Sequence, residues 1–307
     1  MLLLTIINNI HKDCVVNQVQ GIFDYLKKKG LVLNIKVEQG GEDEFIEIYA
    51  EKDECTEEDN KWFNYCISNI LYRVVIDEFI SKRLSKYLGE TYTFLNYKDI
   101  SVVKEMVEKA LKEEMPIDDA AIFCMNKKNN VLKKIIVCLE ENNEINVKGF
   151  LDFRAKEFMV DVYGMIEKTI EKYMVEKEYN EFISLLKYFV EVQESKLDRV
   201  DIFIGRDLGE YILKDEFGND MMRTLLSELC ENKSIIEVSK DDLVISGLIT
   251  TCPKKIVIHS ANRFKNKELL NTIQSVFENR VEYCEGCNEC SVLKENIKIT
   301  VDNKVNL

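Results

Sequence analysis

Three thiols near the C-terminus, in Cys284-Glu-Gly-Cys287-Asn-Glu-Cys290, make up the stretch whose residue types and spacing most directly suggest a chemistry. A Cys-x-x-Cys-x-x-Cys spacing lets successive thiolates turn back on one point, and Gly286 gives the loop the backbone freedom to do so. Three thiols are one ligand short of a closed tetrahedral zinc site or a four-cysteine iron–sulfur cluster. The fourth ligand has to come from elsewhere, and Cys252, His259 and Cys230 are the candidates in the same part of the chain. A ferredoxin-type cluster would want a further cysteine soon after Cys290, and Ser291-Val-Leu-Lys294 supplies none. Two other readings compete with zinc bound by Cys284, Cys287, Cys290 and either Cys252 or His259. One is a redox pair such as Cys284 with Cys287, where proximity lowers one thiol's pKa. The other is a reduced, partly exposed loop that holds nothing.

Beyond the cysteines the chemistry thins out. Imidazoles as a class titrate near neutral pH, which makes His259 a candidate for acid–base chemistry with Ser260 beside it, but no Gly-x-Ser-x-Gly elbow accompanies them. A lone histidine at a strand end is more often a hydrogen-bonded structural residue, and His11 reads as a loop residue. Lys254, Lys255, Arg263, Lys265 and Lys267 form a local basic cluster, expected to be a solvated edge paired with acidic neighbours. The pairs Asp118-Asp119, Asp215-Glu216 and Asp241-Asp242 suit helix starts and turns better than magnesium sites. No Walker A sequence, dinucleotide fingerprint or zincin motif occurs. No catalytic set is complete, so the reading leans away from an enzyme.

Position falls to the surrounding elements. Met1–Ile7 is apolar but lacks a basic leader and a cleavage site, so it reads as a first strand. Asp13 is placed to cap a helix carrying Val15, Val19, Phe23 and Leu26, closed by Gly30. Alternation over Leu31–Val37 and Phe45–Ala50 around Gly40-Gly41 predicts a hairpin. The order β-α-β-β is compatible with half of a ferredoxin-like layer. A long helix follows, opened by Thr56 with Asp59 and ended by Gly89, with Asp77 either a boundary residue of its stripe or paired to Arg73. Helices are expected over 98–114 and over 117–141, the latter interrupted at 126–130. Two more, from Leu151 to Tyr173 and from Tyr179 to Gln193, pack as a hairpin or bent pair about Glu176-Lys177-Glu178. Strands at Val200–Ile204, Tyr211–Leu213, Lys255–His259 and Arg280–Tyr283 alternate with helices over Met221–Glu231, Asp241–Thr251 and Lys267–Phe277. The expected fold class is therefore α+β and helix-rich, in three parts: a mixed α/β domain over 1–95, a helical region over 96–195, and a small α/β unit over 196–307.

Composition bounds the function. The 307 residues are 46% hydrophobic and 32% charged, which is globular. Forty-two basic against fifty-five acidic residues leave a net charge of −13, and that field repels phosphate, so bulk nucleic-acid or anionic-membrane binding is not expected. Most of the other cysteines, Cys14, Cys66, Cys124, Cys138 and Cys230, sit among apolar residues, where a buried reduced thiol is the default. A reducing cytoplasm is the expected compartment.

The central block carries a family pattern. Lys177-Glu-Tyr-Asn-Glu-Phe-Ile183, Leu185–Val190 and Gln193, with Gly149-Phe150 and Phe153-Arg154 upstream, resemble the YtxC-like family of sporulation proteins from endospore-forming Firmicutes. Asp242–Ile249, Pro253, Ile258-His259 and the cysteine loop fit the same pattern, so the resemblance spans about Asn146 to Cys290. It implies a cytoplasmic, sporulation-associated protein whose molecular activity is not established; taken with the lack of a complete catalytic set, the expected role is binding a protein partner through helical or acidic surfaces. It carries over no catalytic residues.

Overall fold

Local capping signals decide where the long helices begin. In the computed structural model, which describes residues 1–8, 12–204, 210–225, 239–264 and 266–290, Thr56 and Asp59 form a reciprocal capping box that opens the helix Glu57–Phe79. Asn96 and Asp99 repeat the device for Tyr97–Lys112. Asp118 accepts from the Ala121 N–H at 2.8 Å and opens Asp119–Glu141. The chain divides into two compact units, Met1–Val175 and Glu176–Leu307.

In the first unit, β1 (Leu2–Asn8) lies between β3 (Asp43–Ala50), antiparallel, and the short β4 (Glu144–Asn146), parallel, while β2 (Leu33–Gly40) hairpins onto β3. A ferredoxin-like layer would close with an antiparallel strand, so only the first three strands follow that expectation. Gly41, at φ +72°, makes the two-residue turn. The helix Lys12–Lys28 ends as expected at Gly30: the Leu31 and Gly30 N–H groups return to the carbonyls of Leu26 and Lys27. Leu4, Ile6, Ile46 and Ile48 face a core completed by Ile67, Leu71, Val103, Ile135, Phe158 and Ile166. Residues expected to form a separate helical region thus belong largely to this first core, because their apolar stripes need the sheet and the helix Glu57–Phe79 to pack on.

Four local expectations are corrected. The first long helix passes Gly89 and ends at Thr91, after a π-helical turn at Ile80–Leu84. Asp77 pairs with Lys112 at 3.3 Å. Asp119–Glu141 is unbroken, because packing of Val131, Leu132 and Ile135 overrides the weak helix propensity of the asparagines before them. Met159–Val192 is one helix of 34 residues, since Glu and Lys at 176–178 are good helix formers with nothing to stop them. His11, Cys230, Lys265, the Cys14 side chain and the end of the helix expected over Met221–Glu231 lie outside the described residues. Among the described residues no helix is long and apolar enough to cross a membrane.

The second unit is built on a sheet of order β6-β5-β7-β8, from β5 (Arg199–Ile204), β6 (Tyr211–Asp215), β7 (Lys255–Ile258) and β8 (Val281–Tyr283). β5 and β6 are antiparallel, whereas β5, β7 and β8 run parallel. Parallel neighbours need a crossover, and the helix Lys267–Phe277, capped by Asn266, supplies the one from β7 to β8. Val200, Ile202, Leu213, Ile256 and Ile258 are buried against Val244 and Leu248 of the helix Lys240–Thr251 and Ile273 and Phe277 of the helix Lys267–Phe277. The consequence for function is positional: β7 and β8 deliver their C-terminal ends side by side.

Candidate metal centre

His259 follows the last residue of β7 and Cys284 the last residue of β8. Backbone hydrogen bonds extend both ladders by one step: His259 N–H donates to the Ile202 carbonyl and Cys284 N–H to the Ile258 carbonyl, each at 2.9 Å. These bonds fix the two candidate ligands relative to the sheet. Beyond Cys284 the chain turns through Gly286 at φ +136°, a conformation that side chains rarely adopt. The turn brings Cys287 and Cys290 back toward the strand ends, and Cys290 N–H points at the Cys287 sulfur at 3.5 Å.

His259 Nδ1 lies 3.5 Å from the Cys287 sulfur and 3.4 Å from that of Cys290, and the Cys284 and Cys290 sulfurs are 4.0 Å apart. All four ligand atoms lie within 4.8 Å of one another. For zinc at ordinary bond lengths, a tetrahedron has edges of about 3.8 Å between sulfurs and about 3.6 Å between sulfur and nitrogen. The four groups could therefore hold such an ion with small movements. The donor set, three thiols and an imidazole, is that of structural zinc rather than of magnesium or calcium.

Other side chains shape the cluster. The His259 ring is buried and stacks on Phe203, with centroids 4.0 Å apart and planes at 16°. Its Nε2 is 2.8 Å from Asp201 Oδ1, and Arg199 donates to the same oxygen at 2.6 Å. Burial works to raise the Cys290 thiol, but hydrogen bonds, the one from Ser260 largest, outweigh it and bring it down to about 6. Cys284 moves upward through burial and through its hydrogen bonds with Cys287 and Cys290. Core thiols behave differently: burial pushes Cys66, Cys124 and Cys138 up.

In metal-free protein a thiolate at Cys290 is therefore expected to persist at neutral pH. Its folded pKa of about 6 lies below the ordinary 9.0, so the stabilisation it contributes is fully present above pH 9.0 and is lost as pH falls through about 6. Thiolate ultraviolet absorbance should show this acidic step and Cys290→Ser should remove it. A titration in which every thiolate forms above about pH 8 would contradict it.

Of the residues expected to bind metal, Cys284, Cys287, Cys290 and His259 come together and Cys252 does not. Cys252 caps the helix Lys240–Thr251 in a left-handed conformation, at the other end of β7 from His259. It is fully buried, with its sulfur 3.3 Å from the Val190 carbonyl oxygen and 3.3 Å from an Arg280 nitrogen. In the basic cluster, Lys254 pairs with Asp198 and Lys255 with Glu282, both at 2.7 Å, as a solvated edge should. Ser239 caps the helix begun by Lys240-Asp241-Asp242, and Asp215 holds the turn at Phe217–Asn219. Sequence reasoning missed Asp201 and Phe203. The signal was a carboxylate inside an apolar strand, Val200-Asp-Ile-Phe-Ile204.

Comparison with known proteins places these residues. The YtxC-like family model matches residues 65–282, over half of the chain. The match includes Asp201 and His259 and stops two residues before Cys284, so the cysteine loop lies outside it. The chain is 21% identical over 196 residues to the uncharacterized protein YtxC of Bacillus subtilis (strain 168), covering 64% of this chain and 68% of that protein. No solved structure matches.

Proposed function

The chain belongs to the YtxC-like family, and from that membership, with four ligand atoms gathered at one point, we propose a sporulation-associated, non-enzymatic cytoplasmic protein whose C-terminal unit folds around one zinc ion and which acts by binding a protein partner. The observation that carries the metal half is the approach of His259 Nδ1 and three sulfurs, spaced to within a few tenths of an ångström of a zinc tetrahedron on the three separations at hand. Four protein ligands leave no open position for substrate, which favours a structural over a catalytic metal. Phe182, Leu185, Tyr188 and Phe189 favour the partner half: they stand exposed on the helix Met159–Val192 among exposed Glu178 and Glu181. Aromatic anchors with a polar surround suit protein recognition.

Elemental analysis of protein purified without a metal-affinity tag tests the metal. About one zinc per chain, lost in Cys287→Ser, is the expected result. Metal-free protein indifferent to that replacement would overturn it. A second reading, a thiol- or metal-dependent enzyme or sensor, draws on the half-buried state of Cys284 and Cys287. Robust turnover in an activity screen of the isolated protein would favour that reading over the first.

A further inference from the structure

We infer that Asp201 is the positioning residue of this site: its carboxylate commits His259 to offering Nδ1, and not Nε2, to the metal. The inference rests on the metal reading above and adds a residue that lies 83 positions upstream of the first thiol.

A neutral imidazole has one N–H and one lone pair, and a carboxylate can only accept. With Asp201 Oδ1 2.8 Å from Nε2, the proton of neutral His259 belongs on Nε2. The lone pair then belongs to Nδ1, the atom that faces the Cys287 and Cys290 sulfurs. The other tautomer would aim an N–H at the thiolates and leave the metal three ligands. Asp201 also adds negative charge behind the ring, which makes Nδ1 a better donor. Asp201 belongs to β5 and the ring follows β7, its parallel neighbour, so the sheet register itself sets the distance. Phe203, two residues along the same strand, stacks on the ring and limits its rotation. The Asp201 side chain is 14% exposed and shares its oxygen with Arg199, so a plain ion pair is the competing explanation for its place.

Zinc affinity, measured by competition with a chromophoric chelator, separates the two. Asp201→Ala is expected to weaken zinc binding by about 10- to 100-fold. Asp201→Asn, whose amide oxygen still accepts from Nε2–H, should fall between it and the parent. Arg199→Gln should stay within about two-fold of the parent, because it breaks the ion pair and leaves the imidazole contact. At saturating cobalt(II), the thiolate-to-metal absorption of the Asp201 variants should keep the parent's intensity, which shows that the three sulfurs still assemble. Parent affinity in Asp201→Ala, or an equal loss in Arg199→Gln, overturns the role of Asp201 and leaves the metal site standing. A parent protein that takes up no zinc overturns both.

Discussion

Chelating the metal is expected to lower the melting temperature of the second unit by on the order of 10 °C. A ligand that binds only the folded state stabilises it by RT ln(1 + [L]/Kd), about 4 kcal/mol when free metal exceeds Kd a thousand-fold. For a unit of this size each kcal/mol moves the midpoint by a few degrees. The ligands explain the selectivity of the effect: His259 and Cys284 terminate β7 and β8, so the ion would tie two strand ends to the loop that follows. Cys287→Ser should melt at the chelated position whether or not zinc is added. The mutation itself removes little else, since Cys287 is only half-buried. Calorimetry with zinc, with chelator and on the variant reads all of this, and coincident parent curves with and without chelator would contradict it.

Ile258→Ala is expected to cost about 2–5 kcal/mol, the usual range for emptying a fully buried aliphatic site. Ile258 is 0% exposed, lies between β5 and β8, and packs in the second core. The change also reaches the metal centre, because the Ile258 carbonyl holds the Cys284 N–H and the next residue is His259. Domains are stable by only about 5–15 kcal/mol, so the loss is a large fraction of the total. Urea denaturation of the zinc-loaded variant should show it, and raising free zinc should recover part of it by mass action. A cost below about 1 kcal/mol would mean that β7 is not the packed centre of this unit.

Signals that act within a few residues were legible in the sequence. The Thr56–Asp59 capping box, the Gly30 and Gly41 turns, the Asp118 and Asp241-Asp242 helix starts and the helix Lys267–Phe277 all answer to neighbours on the chain. Signals that depend on partners far along the chain were not. Asp201 meets His259 across 58 residues, and only the parallel register of β5 and β7 brings them together. Glu176-Lys177-Glu178 reads as a joint because it interrupts the apolar stripe, yet a helix continues wherever nothing breaks it. Among the candidate fourth ligands, Cys252 and His259 both lie next to β7, and only for His259 does the sequence suggest a strand end beside the final strand. The direction of β7 separates them, since it puts one at each end of the strand.

X-ray absorption at the zinc edge, on protein loaded with one equivalent of zinc, tests the central claim most directly. The account predicts three sulfurs at about 2.3 Å and one nitrogen at about 2.0–2.1 Å, with the nitrogen shell lost in His259→Ala. A shell dominated by oxygen, fewer than three sulfurs, or protein that takes up no zinc would contradict it.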